Sequence, residues 1–115
     1  MITVTSRETG HGAVEVAVAG DVDAVTAAEL RCVLDGLADG PGPVRVELDL
    51  TRVGFLDCAG ARLLLRTEER LRARGGALAV LRPSAPVLRL LGLLGIDRHL
   101  PVGGAVGASR TGPGD

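Results

Sequence analysis

Aromatic side chains are all but missing from this chain: it has no Trp and no Tyr, and Phe55 is the one Phe among 115 residues. Its core must therefore be aliphatic, and Ala, Val and Leu supply almost all of the 46% hydrophobic content. The same shortage argues against a groove that grips ligands by stacking. Lysine is absent too, so all 13 basic residues are Arg, and the 14 Asp and Glu leave a formal charge of −1. No strong net field draws such a chain to nucleic acid or acidic lipid. Apolar stretches fall far short of the ~20 residues that a bilayer requires, and no basic stretch followed by an apolar run opens the chain. A cytoplasmic protein without direct membrane insertion is expected. Cysteine is reduced to Cys32 and Cys58, which offer neither a disulfide framework nor a metal-ligand spacing. No acid–base pair, metal cluster or nucleophile beside a base can be traced, and His11 and His99 have no Ser or Cys placed next to them. Neither an enzyme nor a cofactor is expected. The length suits one domain with one core, as a monomer or weak dimer.

What is present reads as alternating strands and helices. Ile2 to Ser6 and Ala13 to Ala19 alternate loosely around the turn Gly10-His11-Gly12, which predicts a hairpin. From Asp23 the apolar spacing becomes helical through Leu30, Val33, Leu34 and Leu37, and Thr26 with Glu29 three residues on predicts a capping box with Thr26 as N-cap. On that helix Cys32, between Leu30 and Leu34, is expected in the core. Gly40-Pro41-Gly42-Pro43 stops the helix. Val44 to Leu50 alternates as a central strand should, Thr51 to Leu56 connects, and a second helix runs from Cys58, capped by Asp57, to Gly75-Gly76. Arg70, Arg72 and Arg74 at its end are cations in a last helical turn. Ala77 to Leu81 is a short strand, Ser84 caps a third helix to Gly95, and a last strand lies near His99 to Val102. From Gly103 to Asp115 the composition turns to small residues and Pro, which predicts a flexible tail; Gly104 to Ser109 lacks the lysine and the helix of a phosphate loop. The order ββαβαβαβ predicts an α/β fold, a mixed sheet with right-handed parallel crossovers and helices on one face.

Three segments within about residues 4 to 102 resemble the STAS domain of anti-sigma-factor antagonists. Gly20-Asp21-Val22-Asp23-Ala24-Val25-Thr26-Ala27 is similar to the family's turn into its first helix. Leu48 through Phe55-Leu56-Asp57-Cys58-Ala59-Gly60 is similar to its strand and loop ending in Phe-aliphatic-Asp-Ser-Ser/Thr-Gly, and is the most specific of the three. Gly75-Gly76 through Pro83-Ser84 to Asp97 matches its final strand and helix.

The resemblance implies a STAS domain over residues 1–102 that binds an anti-sigma factor of the ATP-using serine-kinase type and so regulates transcription. The alternative it leaves is an accessory subunit of a membrane transport complex. It implies that the partner meets Asp21, Asp23, Thr26, Gly54, Leu56, Asp57, Cys58, Ala59 and Gly60, with Asp57 as both N-cap and contact near the partner's nucleotide. The family's phosphoacceptor serine follows that Asp; here the position is Cys58, and the next, often Ser or Thr, is Ala59. An inert serine substitute is the favoured reading of Cys58, a redox-sensing thiolate the other. Gly54 is expected to permit the turn that aims the loop, and Gly60 close packing at the helix start.

Overall fold

The computed structural model describes residues 1–10, 12–99 and 102–103. Strand β1 (Ile2–Gly10) turns back into β2 (Ala13–Gly20), followed by α1 (Ala27–Ala38), β3 (Arg45–Arg52), α2 (Cys58–Ala73), β4 (Ala77–Leu81), α3 (Ala85–Leu93), a 3-10 turn (Ile96–Arg98) and β5 (Val102–Gly103). The strands lie side by side in chain order, β1 and β2 antiparallel and every later pair parallel. Alternation along the strands sets the register: Val14 faces Val46, which faces Leu78, and Val16 faces Leu48, which faces Val80. One face of the sheet is thereby a continuous aliphatic surface.

The helices cover that face. Leu30 and Leu34 of α1, Leu64 and Leu71 of α2, and Val87 and Leu91 of α3 share one buried cluster with the strand residues. Removal of each such Leu from water contributes roughly 1.5–3 kcal/mol, which is how a chain so poor in rings holds a core. The opposite face keeps Glu15, Glu47 and Asp49 half exposed, with Arg82 Nη2 3.0 Å from Asp49 Oδ2.

The helix ends show which local signals acted. Asp57 caps α2 as expected, its Oδ1 accepting from the Gly60 N–H at 3.0 Å. At the other end the Gly76 N–H closes on the Leu71 carbonyl at 2.8 Å, with Gly75 left-handed at φ +85. A Cβ on Gly76 would overlap the Val44 carbonyl, so glycine is also required for the backbone to enter β4. The predicted Thr26–Glu29 box does not form. Asp23 replaces it: its Oδ1 accepts from the N–H groups of Val25 and Thr26, each at 2.9 Å, taking the donor the box would have given to Glu29. Ser84 stands at the N-cap of α3, yet its hydroxyl donates to the Val53 carbonyl at 2.5 Å and ties the helix start to the loop after β3.

Other boundaries move by a few residues. Strand β3 runs on through Arg52, where a connection was expected. Cys32, predicted in the core, is exposed: the buried positions of α1 are Leu30, Leu34 and Ala38, a four-residue stripe that leaves Cys32 on the other side. The predicted last strand begins later, since His99 ends the 3-10 turn and the described pairing is Val102 and Gly103. Leu100, Pro101 and residues 104–115 of the predicted strand and tail lie outside the described residues.

Candidate functional site

Because β2 and β3 are parallel, their C-terminal ends emerge at the same end of the sheet, where ligand and partner sites of α/β folds gather. The loops that follow them, Asp21 to Thr26 and Val53 to Asp57, meet there as a single isolated parallel bridge between Val22 and Leu56. The Val22 N–H donates to the Phe55 carbonyl at 2.9 Å, and the Asp57 N–H donates to the Val22 carbonyl at 3.0 Å. Beneath the bridge Val22 is 0% exposed and Leu56 4%, so both loops are pinned to the core by one apolar side chain each.

Polar groups fix the rest of the first loop. Thr26, 6% exposed, donates its hydroxyl to the Asp21 carbonyl at 2.8 Å and accepts from the Asp23 N–H at 2.9 Å. The hydrogen bond from the Thr26 N–H, a longer one from its hydroxyl, whose proton is shared with the Asp21 carbonyl, and one from the Val25 N–H hold the Asp23 carboxyl below its ordinary value of 3.8. Gly60 lets the second loop close on the first, because a Cβ there would stand 2.5 Å from Leu56 Cδ1 and 2.9 Å from Val22 Cγ1. Gly54 has no such role: it lacks a positive φ, and a Cβ would make only an ordinary 3.6 Å contact with Asp21 Oδ1. The turn that aims the loop therefore does not depend on glycine at 54.

The nine residues expected at the partner surface thus divide by depth. Asp21, Gly54 and Cys58 are exposed; Asp23, Asp57 and Ala59 are half-buried; Thr26, Leu56 and Gly60 are buried and act as anchors behind the surface. The exposed apolar part of the site lies outside those nine residues. Phe55, the one aromatic residue, is 51% exposed at the bridge, with Val25 81% exposed in the other loop. Phe55, Pro86, Leu90 and Leu93 line a shallow 240 Å³ hollow between the second loop and α3. Their signal in the sequence is faint: Val25 and Phe55 are large apolar residues outside any periodic run.

Cys58 is exposed at the first position of α2, and neither loop contains a His or Lys that would serve as a base. Among the described residues no three His, Cys, Asp or Glu side chains are grouped to hold a metal, and no helix is long and apolar enough to cross a membrane. The two locked loops present a carboxylate, a thiol, a ring and an aliphatic group together, from Asp21, Cys58, Phe55 and Val25.

A parallel-rich sheet with helices on one face and two bridged loops at the strand ends defines the class of α/β domain to which the STAS fold belongs. The family model described as "Mlab, STAS domain" matches residues 5–103, and the chain belongs to the STAS-domain family. It is similar to anti-sigma factor antagonists within it, as the three segments led one to expect. An anti-sigma-B factor antagonist of Listeria monocytogenes is 29% identical over 96 residues, 84% of this chain and 82% of that protein. The crystal structure of an anti-sigma factor antagonist from Mycobacterium paratuberculosis has a TM-score of 0.81 at 28% identity, with 96% of each chain covered. The Bacillus cell fate determinant SpoIIAA, solved in its phosphorylated form, has a TM-score of 0.70 over 87% of this chain and 90% of its own. At 17% identity that last likeness is one of fold.

Proposed function

We propose that this chain is an anti-sigma factor antagonist that works by docking, not catalysis, in the cytoplasm, and that its partner is an anti-sigma factor of the ATP-using serine-kinase type. The observation that carries the proposal is the Val22–Leu56 bridge, which holds the two loops as one rigid surface with Cys58 and Phe55 exposed on it. The similarity to named antagonists supports it. Cys58 takes the place of a phosphoacceptor serine, and with Ala59 beside it no hydroxyl is offered at this helix start. A phosphate there would add about −2 charge and disturb a docked protein; without an acceptor, docking is not switched off in that way.

The test uses the purified chain and the serine-kinase-type anti-sigma factors of its source organism, with ATP. Binding of one of them is expected, with no phosphate incorporated into the wild type and measurable incorporation into Cys58→Ser. The Phe55→Ala variant is expected to lose roughly 2 kcal/mol of affinity, about 30-fold, as a buried interface aromatic does. Failure of every such factor to bind, with permease subunits captured instead, overturns the reading in favour of a transport accessory protein. Binding with Cys58→Ser still unphosphorylated would overturn the account of Cys58 alone.

A further inference from the structure

We infer that the groove between α1 and α2 receives an acidic segment of the docked protein, with Arg31 and Arg62 taking its carboxylates. The groove encloses about 260 Å³, and alanine side chains at both helix starts, Ala24, Ala27, Ala28 and Ala59, line it together with Arg31, Arg62 and Arg66. Small side chains let a chain segment approach closely, and three guanidiniums stand beside it. No acidic residue lines the groove, although Asp and Glu outnumber Arg in the whole chain by 14 to 13.

Two of the three arginines are not committed elsewhere. Among the described residues, Arg31 and Arg62 have no carboxylate within salt-bridge distance, and both are exposed. Arg66 is 3.8 Å from Asp35 Oδ2, but the other oxygen of that carboxylate is held by Arg70 at 2.6 Å. The nearest loop acids face their own helices: Asp23 accepts from Val25 and Thr26, Asp57 from Gly60. Guanidinium groups grip carboxylates through paired charge-assisted hydrogen bonds, and such pairs gain strength once an interface excludes water.

A protein segment fits better than a nucleotide or another drug-sized ligand. The volume is below the roughly 300–1,000 Å³ of small-molecule sites, and no ring lines the groove for a base to stack on. With a net charge of −1 the chain has no long-range field for a nucleic acid. Ala59 directly follows Cys58, so the groove opens beside the bridged loops, and one partner would cover both. The inference rests on the docking reading for that partner.

The first test needs no partner. The ¹⁵N-labelled full chain is titrated with a blocked hexaglutamate peptide and followed by NMR. Shifts are expected at the amides of Ala24, Ala27, Ala28, Arg31, Ala59 and Arg62. They should fade near 0.5 M salt, where screening reaches about 4 Å, and weaken roughly tenfold or more in the R31E/R62E double variant with its thermal melt unchanged. Shifts spread over Arg45, Arg52 and Arg89, unaltered binding by R31E/R62E, or tighter occupation of the same residues by ATP would each overturn the acidic-segment site. Against a bound anti-sigma factor, R31E/R62E should lower affinity and flatten its salt dependence, while Phe55→Ala should lower affinity and leave that dependence in place. Normal partner binding by R31E/R62E sinks this inference and spares the docking reading; peptide shifts in the groove without any anti-sigma partner do the reverse.

Discussion

At the scale of single residues, position 60 shows how little room the bridged loops leave. A methyl group on Gly60 would press on Leu56 Cδ1 and Val22 Cγ1, and neither can withdraw, since both side chains are buried. Overpacking of this kind costs about 1–3 kcal/mol. Gly60→Ala should therefore lower the urea midpoint by that equivalent. The strain falls on the Val22–Leu56 bridge itself, so the loops should loosen more than the sheet does. Faster hydrogen exchange at the Val22 and Asp57 amides, both bonded across the bridge, would report this. An unchanged midpoint with unchanged protection would refute the claim that glycine is needed for close approach. Gly54→Ala is the control, because a Cβ there has space and the backbone no left-handed φ.

At the scale of elements, two helices are fastened by a charged clasp. Arg70 of α2 reaches Asp35 at 2.6 Å and also pairs with Asp39, while Arg74 Nη1 donates to the Ala38 carbonyl at 3.2 Å near the end of α1. The arginine run before Gly75 thus holds α1, which a last-turn cation reading does not contain. Arg70 and Asp35 are each about a third exposed, so solvent screens the pair and Arg70→Ala should cost only about 1 kcal/mol. A lower urea midpoint at unchanged slope would agree; no change would show the clasp to be idle. Strand and helix existence was legible because Val14, Val16 and Val18, and Val46, Leu48 and Leu50, alternate cleanly, and because Asp57 and Gly75-Gly76 mark the bounds of α2. Partners distant in sequence were not legible. Cys32 looked apolar and central, but only the packed direction of α1 says which stripe is inward. Thr26 and Glu29 had the right spacing for a box, yet Asp23, three residues earlier, takes the Thr26 N–H with its carboxylate and the Thr26 hydroxyl oxygen with its own N–H, so both halves of the box are occupied. For the site, the two loops were readable; the burial of Val22, Thr26 and Leu56 as anchors, the outward turn of Phe55 and the gathering of Arg31, Arg62 and Arg66 were not, since all depend on where the loops and α1, α2 and α3 pack.

At the scale of the whole molecule, the sheet separates two kinds of surface, and each keeps a carboxylate that ties stability to pH. On the uncovered face burial pushes the Asp49 carboxyl up, but the Thr51 hydroxyl at 2.6 Å, the Thr51 N–H at 3.0 Å and the Arg82 guanidinium at 3.0 Å outweigh it, and the carboxyl ends below its ordinary 3.8. At the bridged loops Asp23 is lowered by its hydrogen bonds from Thr26 and Val25. A carboxyl with a lower value folded than unfolded binds protons more readily in the unfolded chain. Its contribution to stability is then complete above the unfolded value near 3.9 and drains away as pH falls through the folded one. Wild-type stability should be flat with respect to these two groups above about pH 5 and fall on further acidification. Asn keeps a carbonyl acceptor and removes the titration, so urea midpoints of Asp23→Asn and Asp49→Asn should fall less steeply between about pH 5 and pH 3 than those of the wild type. Asp49→Asn also strips Arg82 of the carboxylate that raises its guanidinium above the ordinary arginine range, a change felt at neutral pH as a small constant loss and not as a slope. Identical acid limbs in all three proteins would mean that these carboxylates are held no more tightly in the fold than in the open chain.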